Sequence, residues 1–260
     1  MLLAIETSTK AVGVAVGGPA GMTATIRMDG PPRHAEQLMP LVSACCSYAG
    51  VTLAALDVIA VDTGPGLFTG LRVGVATAKA LAFALAKDLV AVSSLDALAW
   101  SMRFTEATVA AVLDARRGQC FWAVYRCGGG AVQQVTGPAV GAPEKVRDAL
   151  AEYGCARLGK RGVTAVGDGA LRYASVLSEA DGLTLGDASL AYPPPEGVLA
   201  LGASGASSAQ LVRPADLRAM YLTDPDADAS TASAAVASAA HASAESVASP
   251  GGASEGTAPW

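Results

Sequence analysis

Histidine is nearly absent from this 260-residue chain, which carries two, His34 and His241. A His-rich metal site cannot be assembled from them, and a Ser-His-Asp triad would have to be built on His34. Cysteine is sparse as well. Cys45, Cys46, Cys120, Cys127 and Cys155 are odd in number and lack CxxC spacing, which speaks against a disulfide framework or a zinc site. They read as small buried hydrophobes. Charged residues make up only 16% of the chain, and their placement is uneven. Residues 224–260 hold Asp224, Asp226, Asp228, Glu245 and Glu255 without a Lys or Arg, which leaves 18 acidic against 18 basic residues in 1–223. A neutral body offers no electrostatic footprint for nucleic acid, so any RNA would be gripped mainly by another subunit. A basic leader is also lacking, and Glu6 interrupts the first apolar run. The expectation is a soluble, cytoplasmic protein with no signal peptide and no membrane partner.

Apolar residues supply 52% of the chain, and their pattern is α/β. Leu2–Ile5, Val12–Val16 and Met22–Met28 predict an antiparallel meander, turning at Glu6-Thr7-Ser8-Thr9 and Pro19-Ala20-Gly21. Glu36–Ala49 predicts a helix with Leu38, Leu41, Val42 and Cys45 on one face, widened by Met39 and Cys46. Pro40 falls in its first turn, where a missing N–H costs little.

The organising stretch is Asp57–Ala86. Val58–Val61 reads as a buried strand, Gly64-Pro65-Gly66 as a tight turn, and Gly70 onward as a helix with almost no polar face. Arg72 and Lys79 are its only charges up to Ala86, seven residues apart on one narrow stripe. A helix apolar nearly all round must be covered on most sides.

After a strand at Leu89–Val92 and a helix capped at Ser93 and ending near Phe104, the pattern begins again. An offset of 108 residues places Ile5-Glu6 on Leu113-Asp114, Ala15-Val16 on Ala123-Val124, and Gly21 on Gly129. Two related lobes follow, 1–104 and 105–223. The second continues with helices near Pro143–Glu152, Leu171–Glu179 and Pro195–Ser208, and a strand at Val163–Val166. From 224 to 260 the chain is Ala, Ser, Gly, Pro and Asp, a composition that cannot repay ordering and is expected to be a disordered tail.

Three constellations can carry chemistry. Gly64, Pro65 and Gly66, with Thr69 and Gly70 opening the helix, can cradle a phosphate or nucleotide on backbone N–H groups, or can simply let two backbones approach closely. They are not a Walker A motif, since no Gly-Lys-Ser/Thr follows. Glu6 and Asp114, at matched strand ends, can face one cleft and hold Mg²⁺ or position a nucleophile, or can cap their own turns. His34-Ala35-Glu36 can cap the first helix, with the acid well placed in its dipole.

Several blocks resemble the bacterial TsaB (YeaZ) family. They are Ile5-Glu6-Thr7-Ser8-Thr9, Arg33-His34-Ala35-Glu36-Gln37-Leu38-Met39-Pro40, Gly64 through Gly74, Ala76-Thr77-Ala78-Lys79, Val92-Ser93-Ser94-Leu95 and Asp114-Ala115-Arg116-Arg117-Gly118. The match runs in order from residue 2 to about residue 222. It implies the two-lobed ASKHA fold (actin/Hsp70/sugar-kinase-like, ribonuclease H-like). It also implies a non-catalytic partner of TsaD in making N6-threonylcarbamoyladenosine at position 37 of tRNAs reading ANN codons, with the TsaE ATPase as a further partner. The histidine metal ligands of TsaD would fall on Ser94 and Leu98, neither a strong ligand for iron or zinc, so no catalytic residue and no metal site is expected. Leu67 stands where Ser is usual in the family, Asp62 where Gly is common, and Ala35 where Ser is common.

On this reading the two apolar helices form the partner interface. His34, Glu36, Met39, Val42 and Cys46 serve from the first, and Leu71, Arg72, Gly74, Val75, Ala78, Lys79 and Ala82 from the second. A homodimer would use the same surface when the partner is absent, tRNA would be met only through the complex, and ATP with Mg²⁺ would belong to the complex rather than to this chain. The competing reading is an independent ASKHA phosphotransferase or ATPase using Glu6, Asp114 and the glycine turn. A metallopeptidase is excluded by the histidine count.

Overall fold

Strand β1 (Leu2–Glu6) shows no polar alternation because it is covered on both faces, and all five of its residues are buried. In the computed structural model, which describes residues 1–18, 21–30, 33–156 and 162–222, β1 is the centre of a five-stranded sheet. The Pro19-Ala20 part of the first turn, the Cys155 side chain and the 224–260 segment with His241 lie outside the described residues. On one side of β1 run β2 (Val12–Gly18) and β3 (Gly21–Met28), antiparallel. On the other run β4 (Val58–Gly64) and β5 (Asp88–Ser93), parallel to it. Leu3, Ile5, Val14, Val16, Ile59 and Val61 point to one face, where α1 (His34–Tyr48) and α2 (Phe68–Leu85) cover them.

Helix α3 (Ser94–Trp100) leads out of this sheet, with Ser93 Oγ accepting from the Asp96 N–H at 3.4 Å as its N-cap. It stops at Trp100, before the predicted end near Phe104. The second sheet contains β6 (Ala107–Arg116), β7 (Gln119–Gly128), β8 (Ala131–Gln134), β10 (Val163–Val166) and β11 (Leu183–Leu185), with β9 (Ala139–Gly141) paired to β7. Its order, β8-β7-β6-β10-β11, repeats that of the first sheet, β3-β2-β1-β4-β5. In both, a meander flanks one side of the first strand and parallel strands flank the other. This doubled topology matches the ASKHA architecture that the family resemblance implies. Helix α4 (Pro143–Ala156) and two short helices, α5 (Asp168–Arg172) and α6 (Ala174–Leu177), lie against the second sheet. The single helix expected over Leu171–Glu179 is thus divided, with Tyr173 at φ −106° and ψ 27° marking the break.

Helix α7 (Pro195–Ser207) departs from the division at residue 104. It packs on β1, β2, β4 and β5 of the first sheet rather than on the second. The reason lies in side-chain size: Leu2, Ala4, Ala15 and Ala60 present a shallow apolar face, and Gly202 lets the helix settle onto Ala60. The chain then stays with this sheet, Val212 bridging Leu89 and the Met220 N–H reaching the Thr63 carbonyl at 2.7 Å. Residues 195–222 therefore belong with the first sheet.

Helix α2 is long and apolar enough to cross a membrane by length and composition alone, yet 33% of that window is buried in the fold. Its inward stripe is Leu71, Val75, Ala78 and Ala82, spaced for one helical face. Its first turns lie almost in contact with the β1–β2 turn. The Leu67 N–H donates to the Ser8 carbonyl at 2.6 Å, and a Cβ added at Gly66, Gly70 or Gly74 would fall 2.3 Å from Ser8 O, 2.1 Å from Thr7 O or 2.1 Å from Thr7 Oγ1.

Two expectations follow for stability, both read by urea denaturation. Gly70→Ala should cost about 1–3 kcal/mol or more through overpacking against backbone, whereas Gly137→Ala, with nothing within 4 Å, should stay within about 0.5 kcal/mol. Ala78→Asp should lose more than about 3 kcal/mol by burying an unpaired charge, while Ala80→Asp, on the open side of the same helix, should cost under about 1 kcal/mol.

Candidate functional site

Eight of the twelve residues expected at a partner interface are covered by the chain itself: His34, Val42, Cys46, Leu71, Gly74, Val75, Ala78 and Ala82. Of the small residues on α2, Gly74, Ala78 and Ala82 are buried within the fold, while Ala76, Ala80 and Ala84 lie on the exposed side. These eight could not be told from outward residues in the sequence because a helix apolar nearly all round has no periodicity to say which face turns inward. Glu36, Met39 and Arg72 do lie on the surface, and Lys79 is half-covered with its Nζ donating to the Leu217 carbonyl at 3.3 Å.

The outward side of these helices carries a different set. Phe83 is 83% exposed, Tyr48 81%, Phe68 51% and Met39 41%. Arg72 stacks 3.7 Å over the Phe68 ring, and Phe68 meets Tyr221 with ring centroids 5.3 Å apart. A cavity of about 410 Å³ opens beside this cluster, between the first turns of α1 and α2, lined by Arg33, His34, Glu36, Phe68 and Thr69 among others. His34 turns inward rather than to the partner-facing surface expected of it. Its ring is buried, with Nε2 3.1 Å from the Ala11 carbonyl, so that Nε2 carries the proton and fastens α1 to the β1–β2 turn. Phe83 was legible as an apolar helix position but not as an outward one, and Phe68 fell ahead of the helix expected from Gly70, which in the structure begins at Phe68. Nothing in the sequence placed Tyr221 beside Phe68.

The glycine turn does not form an empty phosphate cradle. The space that Gly66 and Gly70 leave is taken by the Ser8 and Thr7 carbonyls, and that over Gly64 by the Met220 carbonyl. Gly64, Pro65, Gly66 and Gly70 thus serve close backbone packing, while Thr69 faces the neighbouring cavity.

Glu6 and Asp114 also part company, each having its own partners. Asp114 sits at the end of β6, its Oδ1 accepting from the Arg116 N–H at 3.0 Å, with Arg116 at 3.3 Å and Arg172 at 3.7 Å from Oδ2. Its own N–H donates to Asp168. Glu6 instead lies beside Asp62, a residue that stood out in the sequence only as a departure from a common Gly. Glu6 Oε1 accepts from Ser8 N–H at 2.7 Å and Ser8 Oγ at 2.5 Å, and Asp62 Oδ1 accepts from Gly64 N–H at 2.8 Å and Ser94 Oγ at 2.5 Å. Burial, reinforced by the charge of Asp62, holds the Glu6 carboxyl well above the usual range, and burial pushes Asp62 up to about 6. Among the described residues no group of three or more His, Cys, Asp or Glu is placed to hold a metal ion.

A family model described as TsaD, tRNA N6-adenosine threonylcarbamoyltransferase, matches residues 31–227. The structure superposes on YeaZ from Pseudomonas aeruginosa with a TM-score of 0.74 and 31% identity, covering 85% of this chain and 99% of that one. The chain is 34% identical over 127 residues to the tRNA threonylcarbamoyladenosine biosynthesis protein TsaB of Escherichia coli, 48% of this chain and 54% of that protein. It is 36% identical over 236 residues to an uncharacterized protein of Mycobacterium leprae, 89% of this chain and 57% of that one. The chain spans about half the length of the curated relatives it matches. From these matches and the shared two-sheet fold, the chain belongs to the TsaB/YeaZ family.

Proposed function

We propose that this chain is a non-catalytic subunit that binds and activates a TsaD-like catalytic subunit for N6-threonylcarbamoylation of adenosine 37 in tRNAs reading ANN codons. The observation that carries the reading is the open side of α1 and α2, where Met39, Tyr48, Phe68 and Phe83 stand in water on two adjacent helices. Fully burying one such side chain stabilises by about 1.5–3 kcal/mol, so covering two of them is enough to change affinity by several orders of magnitude. Arg72 on Phe68 adds an aromatic–Arg pair of the kind that anchors interfaces.

The rest of the chain is consistent with a role without chemistry of its own. Ser94 is engaged with Asp62 and Leu98 is buried in the core, so neither position of the expected metal pair offers a ligand. Asp114 is engaged by arginines, and the glycine turn is filled by the chain's own carbonyls. The neutral body gives tRNA little to hold, so the subunit meets tRNA through the complex, where ATP with Mg²⁺ and a TsaE-like ATPase also belong, in the cytoplasm. In the absence of TsaD the same face joins two copies of this chain.

Binding of purified TsaD from the same organism, followed by calorimetry and by tRNA modification, tests this. Phe83→Asp combined with Tyr48→Ser, both at side chains more than 80% exposed, should weaken the complex at least tenfold and lower modification in step, with the melting temperature of the isolated subunit unchanged. Robust ATP hydrolysis by the isolated chain, lost in Asp114→Ala, together with no binding to TsaD, would overturn the proposal in favour of an independent phosphotransferase or ATPase.

A further inference from the structure

The parallel pairing of β1 with β4 sets Ile5 opposite Val61, so the next residues, Glu6 and Asp62, stand side by side on the same face of the sheet. Both are buried, at 1% and 0% exposure. On each carboxyl one oxygen is fully supplied with donors, Glu6 Oε1 by Ser8 and Asp62 Oδ1 by Gly64 and Ser94. The other oxygens, Glu6 Oε2 and Asp62 Oδ2, are buried without a partner. Two buried carboxylates side by side cannot both stay ionised.

The surrounding charges do not relieve the pair. Strand β2, beside Glu6, contributes Gly13 there, and α7 lays Pro195 over it. Arg27 on β3 feels the charge of Glu6 but is held by Asp29 through two hydrogen bonds of 2.7 and 2.8 Å. Asp96 on α3, engaged by Tyr125, and Glu196 on α7 carry the wrong sign. Lys10 in the β1–β2 turn acts on Asp168. His34 on α1 is bound to the Ala11 carbonyl, Lys79 on α2 to Leu217, and Arg72 lies over Phe68.

We propose that Glu6 and Asp62 share one proton, Glu6 Oε2–H donating to Asp62 Oδ2, and that this acid pair is a pH-sensitive latch at the strand ends that lead into the turns before α2. The shared proton satisfies both orphaned oxygens at once. The latch lies where it does because the same carboxyls hold the two turns that launch α2: Glu6 binds Ser8, whose carbonyl takes the Leu67 N–H, and Asp62 binds the Gly64 N–H. Losing the proton leaves two adjacent buried anions, which push the ends of β1 and β4 apart and loosen that junction.

The sign follows from the direction of both shifts. Each folded-state pKa lies above its unfolded value of 4.5 or 3.8, so the native state holds more protons than the unfolded chain. Stability is full below about pH 4 as far as this pair is concerned. It falls as pH rises through about 6 for Asp62 and on through the higher range of Glu6.

Thermal unfolding of the full chain from pH 5 to 9 tests the latch without any partner, so its outcome is independent of the docking proposal. The wild-type melting temperature should fall by about 5 °C or more across this range. Asp62→Asn, whose amide can donate to Glu6, should flatten the profile and melt higher than wild type at pH 8–9. Should that variant fail to fold, carboxyl-carbon NMR titration of the wild-type protein decides the matter. A Glu6 carboxyl still protonated at pH 7 supports the shared proton, and ionisation of both carboxyls below pH 5 in the folded protein overturns it. A rise in melting temperature with 10 mM Mg²⁺ at pH 8 would also overturn it, if present in wild type and absent in Asp62→Asn, because the pair would then be a cation site.

Discussion

Everything on the α1/α2 side of the molecule depends on how closely the β1–β2 turn approaches the start of α2. Three glycines, Gly66, Gly70 and Gly74, remove the side chains that would keep Thr7 and Ser8 away, and the Ser8 carbonyl takes the first free N–H ahead of the helix. An N–H at a helix start is an unsatisfied donor that can serve an external anion; here part of that capacity is spent on the chain's own backbone. The glycine block is thus a packing device, and it fixes which side of α2 faces inward. Once Leu71, Val75, Ala78 and Ala82 are set against the sheet, Phe68, Arg72 and Phe83 have no choice but to face out.

The two sheets repeat one topology but treat their matching acids differently. Glu6 and Asp114 both end the first strand of a meander, and both accept hydrogen bonds from the N–H two residues on. Beyond that they diverge. Asp114 has arginines at Arg116 and Arg172, which keep its charge compensated near the surface. Glu6 has a second carboxyl from β4 beside it, and both are buried. A shared backbone therefore carries two electrostatic environments, decided by what the next strand contributes: Asp62 in one sheet and, at the equivalent end of β10, Gly167 followed by Asp168, whose carboxyl turns to the Asp114 N–H.

The first sheet is also asymmetric from face to face. Its Leu, Ile and Val face takes two helices, while its Ala-rich face takes the glycine-containing α7 together with Ala97 of α3. That second contact draws residues 195–222 back across the boundary between the lobes. The closing segment then brings Tyr221 to Phe68, so a residue far along the chain completes the exposed aromatic cluster.

Much of this was legible from sequence by itself. The β1–β2–β3 meander, the positions of α1 and α2 and the repeat in the second half all follow from local pattern and composition. These features are set by residues near one another along the chain. Tertiary structure alone decided the rest. Ala78 and Ala80 are the same residue type on the same helix, and only the position of β4 makes one core and the other surface. Glu6 and Asp62 are 56 positions apart, and only the parallel register of β1 and β4 makes them a pair. Where burial or charge is settled by a partner distant in the chain, local periodicity carries no record of it.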